Sequence, residues 1–353
     1  MSKSAPAEGV SCPVPVGQFE RVQLGHGSGG TMSAALVRER FLPHFGNPTL
    51  EQLGDAAVVD VAPGRLAVST DTFVVQPLEF PGGNIGTLAV HGTLNDVAMM
   101  GAEPRYLTAG FVLEEGLPFV VLDRILASMA AAAEAAGVPL VAGDTKVVER
   151  GKADGAFINT TGFGDLHPAF APAPPRAAVG DRILVSGPIG RHGIAIMAVR
   201  EGLAFEADVE SDTANLWPLV ARLRDRVGAA VHVLRDPTRG GMASALNEIA
   251  TAANVGVHLT EEALPIPGPV RAACEVLGFD PLYVANEGVL VAFVAPEAAA
   301  EALTALRTHR LGAEAAIVGD VVEDHQGIVA LETGIGGTRV VDMLPGDQLP
   351  RIC

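Results

Sequence analysis

The sequence predicts a two-domain protein of mixed α/β class, in which each half forms an α+β layer of strands and helices. Two observations carry this prediction. With 353 residues, of which 48% are hydrophobic, the chain is long enough to bury two cores. Near its middle, residues 167–176 contain four prolines, which interrupt regular structure and stiffen a connector.

The proline-rich stretch sets the expected domain limits. We expect a flexible N-terminal extension over 1–18, a first domain over 19–167, a linker over 168–177, a second domain over 178–344 and a mobile tail over 345–353. The tail holds two prolines and a glycine, so it should not continue a helix or a central strand.

The elements of the first half follow from short apolar runs, which predict strands, and longer periodic runs, which predict helices. One helix should end at Gly137, because glycine is common just after helix ends. The predicted strands are 56–61, 66–70, 105–112, 139–142 and 156–164, and the predicted helices are 31–41, 84–100 and 117–136.

The second half shows the same mixture of elements, as expected for a layered α+β or α/β domain. The predicted strands are 182–186, 256–260, 289–294, 315–321 and 327–331, and the predicted helices are 193–201, 213–227, 241–253 and 296–310.

Composition excludes several classes of protein. A net charge of −17, with one Trp and two Tyr, argues against nucleic acid as a partner. The three cysteines, Cys12, Cys274 and Cys353, are widely spaced, which argues against a disulfide framework or a zinc site. Without a signal peptide or an apolar run of membrane length, we expect a soluble cytoplasmic protein with no membrane contact.

A glycine-rich segment gives the first chemical signal. Residues 25–30 contain four glycines, which permit backbone N–H groups to approach a phosphate closely. The segment lacks the Lys-Ser/Thr pair of a P-loop. Considered alone, it is equally compatible with a plain flexible loop before a helix.

Lone aspartates near the ends of apolar runs give the second signal. Carboxylates that converge on one rim of a sheet form an oxygen cage suited to Mg²⁺ and phosphates. Any one of them also fits an ordinary turn or cap residue. The residues are Asp55, Asp71, Asp96, Asp144 and Asp236.

Three further residues carry reactive groups. Lys146 and Glu287 fit a proton-handling pair or charge clamps at a nucleotide, or else a surface ion pair. Cys353, the last residue, is a thiol that a tail could carry into a cleft, or else an incidental terminal residue.

Together these motifs resemble the ATP-dependent aminoimidazole ribonucleotide synthetase superfamily, which includes selenophosphate synthetase and thiamine-monophosphate kinase. The resemblance runs from about Phe19 to the last residue. The ending Pro350-Arg351-Ile352-Cys353 is similar to that of the hydrogenase-maturation carbamoyl dehydratases. The other matching segments are 25–30, 54–59, 70–75, 95–104, 143–148, 236–241 and 286–288.

The resemblance implies the superfamily's two-domain fold, a homodimer with paired N-terminal sheets, and ATP and Mg²⁺ as cofactors. It also implies three groups of site residues. The metal ligands are Asp55, Asp71, Asp96 and Asp144. The nucleotide contacts are Gly27, Ser28, Gly29, Gly30, Asp144, Asp236 and Arg239. The catalytic residues are Cys353, Lys146 and Glu287.

The resemblance further implies a reaction on the tail. A carbamoyltransferase, HypF, loads a carbamoyl group on Cys353, ATP drives its dehydration to a thiocyanate, and the cyanide passes to iron on a HypC–HypD complex. The alternatives are a selenophosphate synthetase-like or thiamine-monophosphate kinase-like enzyme, or a nucleotide-bound scaffold. The selenophosphate synthetase-like alternative is less favoured, because residues 25–30 hold no Cys or Lys.

Overall fold

The structure is a computed structural model that describes residues 19–27, 31–53, 57, 59–61, 63–202, 209–343 and 352. In this part of the chain, strands and helices alternate in both halves, as predicted for a mixed α/β protein. No helix among these residues is both long and apolar enough to cross a membrane.

The first domain is built on a four-stranded sheet in the order β1-β6-β4-β5. All pairs are antiparallel except β4 with β5. The strands are β1 (Leu66–Phe73), β4 (Ala102–Glu114), β5 (Leu140–Val148) and β6 (Ala156–Leu166), and a short hairpin comprises β2 (Glu79–Phe80) and β3 (Gly83–Asn84).

Four helices accompany this sheet. The longest two cover one of its faces, and their apolar residues form the first core with the inward residues of β4 and β6. Asn84 starts one of them with a reciprocal capping box, and Gly137 ends the other in the left-handed conformation, as predicted. The helices are α1 (Thr31–Leu36), which continues as a π-helical turn over Val37–Phe41, α2 (Leu42–Phe45), α3 (Ile85–Met99) and α4 (Phe119–Ala136).

The second domain has a seven-stranded sheet in the order β13-β12-β9-β11-β7-β10-β8. Both faces are covered, because alternate residues of β7 and β10 belong to two separate cores, one against α7 and one against α6 and α9. The strands are β7 (Arg182–Val185), β8 (Val231–Arg235), β9 (Gly256–Thr260), β10 (Val291–Val294), β11 (Ala316–Val322), β12 (Val329–Glu332) and β13 (Thr338–Val340). The helices are α5 (Arg191–Arg200), α6 (Trp217–Arg226), α7 (Gly241–Ala253), α8 (Gly268–Leu277) and α9 (Ala299–Arg307).

Helix α3 joins the two domains. It packs on the first sheet and also contacts α6 of the second domain. Its Asn95, 1% exposed, donates to the main-chain carbonyls of Ala214 and Glu287 and accepts from the Leu216 N–H. The helix is therefore buried on most sides, which explains why its apolar residues are not confined to one face.

Several predicted elements need correction. The described residues of the predicted strand 56–61 form no strand. The strand predicted over 139–142 extends to Val148, and helix 213–227 begins only at Trp217. Strands β8 and β13 and helix α8 were not predicted. The proline-rich linker contains a 3₁₀ turn at Pro174–Arg176, and its Phe170 is buried in a core.

Candidate active site

Asp71 and Asp96 lie together where β1 faces α3. Ser69, two residues before Asp71 and on the same face of β1, donates a hydrogen bond to Asp96 Oδ2 at 2.6 Å. Burial raises the pKa of Asp96, the Ser69 hydrogen bond opposes this, and the nearby Asp71 carboxylate adds to it. The first domain thus supplies two interacting acids to the domain boundary.

The second domain adds two buried acids. Asp236 follows β8 and Glu287 precedes β10, and they are 7% and 3% exposed. Burial, followed by the negative charge of Asp96, raises the pKa of Asp236 to about 7. Burial and the neighbouring carboxylates, Asp236 first, hold the pKa of Glu287 well above its usual range. Acids from four separate segments therefore meet at one place, and three of them, Asp71, Asp96 and Asp236, belong to the predicted set of aspartates.

Asp212 fixes the main chain beside Glu287. Its Oδ2 accepts hydrogen bonds from the N–H groups of Glu287 at 3.1 Å and Gly288 at 2.9 Å. Residue 288 must be glycine for this approach, because a Cβ there would clash with the Asp212 carbonyl. Asp212 Oδ1 and Asp236 Oδ2 are buried oxygens without a hydrogen-bond partner within the described part of the chain.

The penultimate residue of the chain lies in the same region. His192 Nε2 and the Ile352 carbonyl oxygen are 2.6 Å apart, and His192 Nδ1 lies 2.8 Å from Ser211 Oγ. The Ile352 side chain is 5% exposed and belongs to the first core. Asp212 is close enough to His192 to affect its pKa. Ile352 therefore contacts a histidine that lies near the acidic residues.

A second group of predicted residues lies elsewhere. Lys146 Nζ pairs with both oxygens of Asp144, at 3.0 and 2.8 Å, on the exposed surface of β5. These residues and Gly27 line a cavity of about 330 Å³ whose inner wall is apolar. Gly27 lies so close to β5 that a Cβ would clash with the Val147 nitrogen, which explains the glycine there.

The strand register separates Asp144 from Asp71, which corrects the prediction of one cage. Asp71 pairs with Thr160 of β6, whose hydroxyl bonds to the α3 backbone, so Asp71 lies on the α3 face. Thr160 also pairs with Ala109 of β4, and Ala109 pairs with Gly143 of β5. Gly143 therefore shares the face of Asp71, and the next residue, Asp144, points to the opposite face. Two strands also lie between β1 and β5, a separation of about 14 Å. Within one subunit, Asp144 does not join Asp71 and Asp96.

The other predicted residues have mixed outcomes. Arg239 is exposed, and its positive charge partly offsets the rise in the pKa of Asp96 that burial causes. Lys146 contacts Asp144 rather than Glu287, so the two predicted proton-handling residues are not paired within the part of the subunit that the structure describes. Asp55, Ser28, Gly29, Gly30 and Cys353 lie outside the described residues.

The acidic residues suit Mg²⁺ that is shared with a phosphate. Among the described residues, no three His, Cys, Asp or Glu side chains are grouped closely enough to hold a metal alone. Mg²⁺ commonly takes only one or two carboxylates and completes its shell with substrate phosphates and water. The interacting pair Asp71 and Asp96 and the unpartnered Asp236 Oδ2 are oxygen donors of that kind.

Residues missed by the sequence analysis complete the site. His192, Ser211, Asp212 and Asn95 are all buried or bonded at the domain boundary. In the sequence, His192 follows an arginine, Ser211 and Asp212 lie in the polar run 210–213, and Asn95 appears only as part of the matching segment 95–104. His192 follows a Gly-Arg pair after β7, a signal too weak to distinguish a site histidine from a core histidine.

The fold and its interdomain acidic site are those of a nucleotide-dependent enzyme family. Residues 53–166 match the model of the AIR synthase related protein N-terminal domain, and residues 178–332 match that of its C-terminal domain. The chain belongs to the AIR synthase related family.

Within that family the relatives are hydrogenase maturation proteins. "Carbamoyl dehydratase HypE" of Bradyrhizobium diazoefficiens is 54% identical over 332 residues, which cover 94% of this chain and 96% of the relative. A crystal structure of HypE in complex with ATP has a TM-score of 0.91 at 51% identity, covering 94% of this chain and 99% of that one. A HypE–HypF complex gives 0.77 at 45% identity, covering 88% and 100%. The resemblance to the carbamoyl dehydratase branch is thereby confirmed.

Proposed function

We propose that this chain is an ATP-dependent carbamoyl dehydratase that acts on its own C-terminal Cys353. The substrate is a carbamoyl group carried as a thiocarbamate on the Cys353 sulfur. The product is a thiocyanate, which serves as the cyanide donor for the iron of a [NiFe]-hydrogenase. The single observation that carries the proposal is the contact of the Ile352 carbonyl with His192, which lies near Asp212 at the domain boundary, because Cys353 is the next residue in the sequence.

The reaction removes one water in two steps. The carbamoyl oxygen attacks the γ-phosphorus of ATP, ADP leaves, the nitrogen loses one proton, and an imino-phosphate forms on the carbon attached to the Cys353 sulfur. Loss of phosphate from that carbon, with loss of the remaining nitrogen proton, leaves the nitrile. Phosphorylation is required because hydroxide is a poor leaving group, whereas phosphate is a good one.

The acidic residues would hold the metal and the nucleotide. Asp71 and Asp96, with Asp55, are the proposed Mg²⁺ ligands, and Asp236 and Arg239 approach them from the second domain. Bound Mg²⁺ neutralises phosphate charge during phosphoryl transfer. The glycines at 27–30 would offer N–H groups to phosphate.

Glu287 is the proposed base for a nitrogen proton. It lies in the acidic cluster, and its main chain is held by Asn95 and Asp212. A buried carboxylate with a raised pKa is a stronger base than an exposed one once it is ionised. Its fixed main chain gives the side chain a defined starting point.

Lys146 and Asp144 would act from a second subunit. They project from the sheet face opposite to α3, where Val68 is 60% exposed in the single chain. Pairing of two such faces in a homodimer would bury this surface and carry Lys146 and Asp144 toward the partner's nucleotide. This arrangement gives both residues a role that one subunit cannot provide.

Two partners follow from the reaction. A carbamoyltransferase of the HypF type would load Cys353, consistent with the known HypE–HypF complex. A HypC–HypD complex would receive the cyanide on iron. Because the thiol must stay reduced, we place these steps in the cytoplasm.

Mass spectrometry of the C-terminal peptide tests the proposal. Incubation with the carbamoyltransferase, carbamoyl phosphate and Mg-ATP should add a carbamoyl group to Cys353 and then remove the mass of one water. Cys353→Ser should show neither change. A loaded peptide that keeps its full carbamoyl mass in the presence of Mg-ATP would contradict the proposal.

A further inference from the structure

His192 and Ser211 form a binding site for the backbone of the chain's own penultimate residue. In this site His192 contacts the Ile352 carbonyl, and Ser211 contacts the other nitrogen of the His192 ring. We propose that these contacts, together with the apolar contacts of the Ile352 side chain, form a latch that holds Ile352 in place and so limits the positions open to the adjacent Cys353. His192 is thus a positioning residue. The latch deepens the proposed function, because it specifies what the site recognises in its tethered substrate.

The hydrogen-bond directions in the latch are fixed by chemistry. The Ile352 carbonyl oxygen can only accept, so His192 Nε2 must carry a hydrogen and donate it. Burial lowers the pKa of His192, which favours the neutral ring, so Nδ1 has no hydrogen and accepts from the Ser211 hydroxyl. Ser211 Oγ in turn accepts from the Thr213 N–H at 3.2 Å. Each polar group in this series of hydrogen bonds has a partner, and the His192 tautomer with its hydrogen on Nε2 is selected.

The surroundings hold the His192 ring in place. His192 is 0% exposed. The rings of Phe80 and His192 pack in a T-shaped arrangement, with their centroids 5.6 Å apart. His192 lies in the first turn of α5, two residues after the N-cap Gly190, which has a positive φ. A side chain at Gly190 would also clash with Val270. Phe80, Ser211 and the helix start therefore hold the donor in a defined position, as a binding site requires.

The latch recognises two features of residue 352. One is a free backbone carbonyl at position 352, and the other is an aliphatic side chain of a size that fits the first core. The Cα of Cys353 must lie about 3.8 Å from that of Ile352, so fixing residue 352 confines the thiol to a small volume. Asp212, the residue after Ser211, accepts a hydrogen bond from the Glu287 N–H, so adjacent residues hold the latch histidine and the backbone of Glu287.

Carboxypeptidase digestion tests the latch directly. The enzyme must cleave the Ile352–Cys353 peptide bond, and the carbonyl of that bond is the one that His192 holds. In the full-length protein we expect His192→Phe, which fills the space of the ring but has no donor, to release Cys353 about tenfold faster. His192→Gln, which keeps an N–H donor, should fall between this variant and the native chain. His325→Phe, at an exposed histidine, is the matched control and should match the native rate.

A second pair of variants tests the side chain and keeps the proposal falsifiable if His192→Phe fails to fold. Ile352→Ala should raise the rate at which iodoacetamide alkylates Cys353, whereas Ile335→Ala, at a residue 98% exposed, should not. Peptide mass spectrometry separates Cys353 from Cys12 and from Cys274, whose pKa burial raises to about 11. Thermal unfolding of each variant shows that it is folded.

The outcomes separate the latch from the dehydratase reaction, because neither tail probe uses a nucleotide, a partner or a carbamoyl group. Faster cleavage and alkylation in the His192→Phe and Ile352→Ala variants alone support the latch. Native rates in both folded variants would overturn it and leave the dehydratase proposal standing. Failure of the dehydration assay with these tail results intact would instead remove the reaction and leave the latch.

Discussion

The side-chain amide of Asn95 donates a hydrogen bond to the main-chain carbonyl of Glu287 at 3.3 Å. The N–H of the same Glu287 donates to Asp212 Oδ2 at 3.1 Å. One residue of the first domain therefore holds one side of the Glu287 peptide backbone, and one residue of the second domain holds the other. Because Asp96 follows Asn95 on α3, the same contact also fixes the spacing between the acids of the two domains.

Asn95→Ala should lower the free energy of unfolding by about 2–4 kcal/mol, because it removes the side-chain partner of the buried Ala214 carbonyl and of the buried Leu216 N–H. Urea unfolding measures the loss. Asn159→Ala, at an exposed asparagine that also bonds to neighbouring strands, is the control and should lose less. Equal losses in the two variants would show that Asn95 does not hold the domains together.

Glu287→Gln should lower the rate of dehydration about 100-fold while ATP binding persists, because the amide keeps the shape of the side chain but cannot take a proton. Single-turnover conversion of carbamoylated Cys353 and a nucleotide-binding titration measure the two effects separately. Glu332→Gln, at an exposed strand residue, should leave both unchanged. A Glu287→Gln enzyme with native turnover would rule out Glu287 as the base.

Local sequence patterns predicted the elements and the family, but not the arrangement of the site. Gly137 ends α4 and residues 241–253 form α7 as predicted, because caps and periodicity are local signals. The register of β5 depends on pairing with β4, so the sequence did not reveal that Asp144 lies in mid-strand on the face opposite to Asp71.

Local sequence patterns could not predict contacts between residues that are far apart in the chain. His192 and Ile352 are 160 residues apart, and nothing in either local sequence indicates the other. Helix α8 was missed because prolines and a glycine surround its start, although Pro267 and Pro269 are compatible with a helix N-terminus. The sequence thus identified most of the acidic residues of the site, and the fold was needed to find what holds them.

His91 should make stability fall with decreasing pH. Burial, with the positive charge of Arg310, lowers the pKa of His91 to about 4, and the ring bonds to Thr213 across the domain boundary. Since this pKa lies below the unfolded value of about 6.5, the neutral ring stabilises the fold above pH 6.5, and this contribution is lost as the pH falls toward 4.

The measurement compares urea unfolding near pH 7 and near pH 5 for the native chain and for His91→Gln, which keeps a polar partner for Thr213 but does not titrate. The variant should lose less free energy of unfolding between the two values. His167→Gln, at an exposed histidine, should behave like the native chain. If His91→Gln and the native chain lose the same amount, His91 does not contribute to the pH dependence.

Mixing two inactive variants should restore activity if Lys146 serves the site of its partner subunit. Lys146→Met and Glu287→Gln each disable every site of their own homodimers. In a mixed dimer with sites shared across the interface, one site combines both defects, and the other combines the intact Lys146 of one chain with the intact Glu287 of its partner. Random exchange makes half of the dimers mixed, so about a quarter of native activity should return. If the two residues act within one chain, no site is intact and no activity returns. Because the Lys146 side chain is exposed in the single subunit, Lys146→Met should also leave the free energy of unfolding of the subunit nearly unchanged, which separates this result from loss of folding.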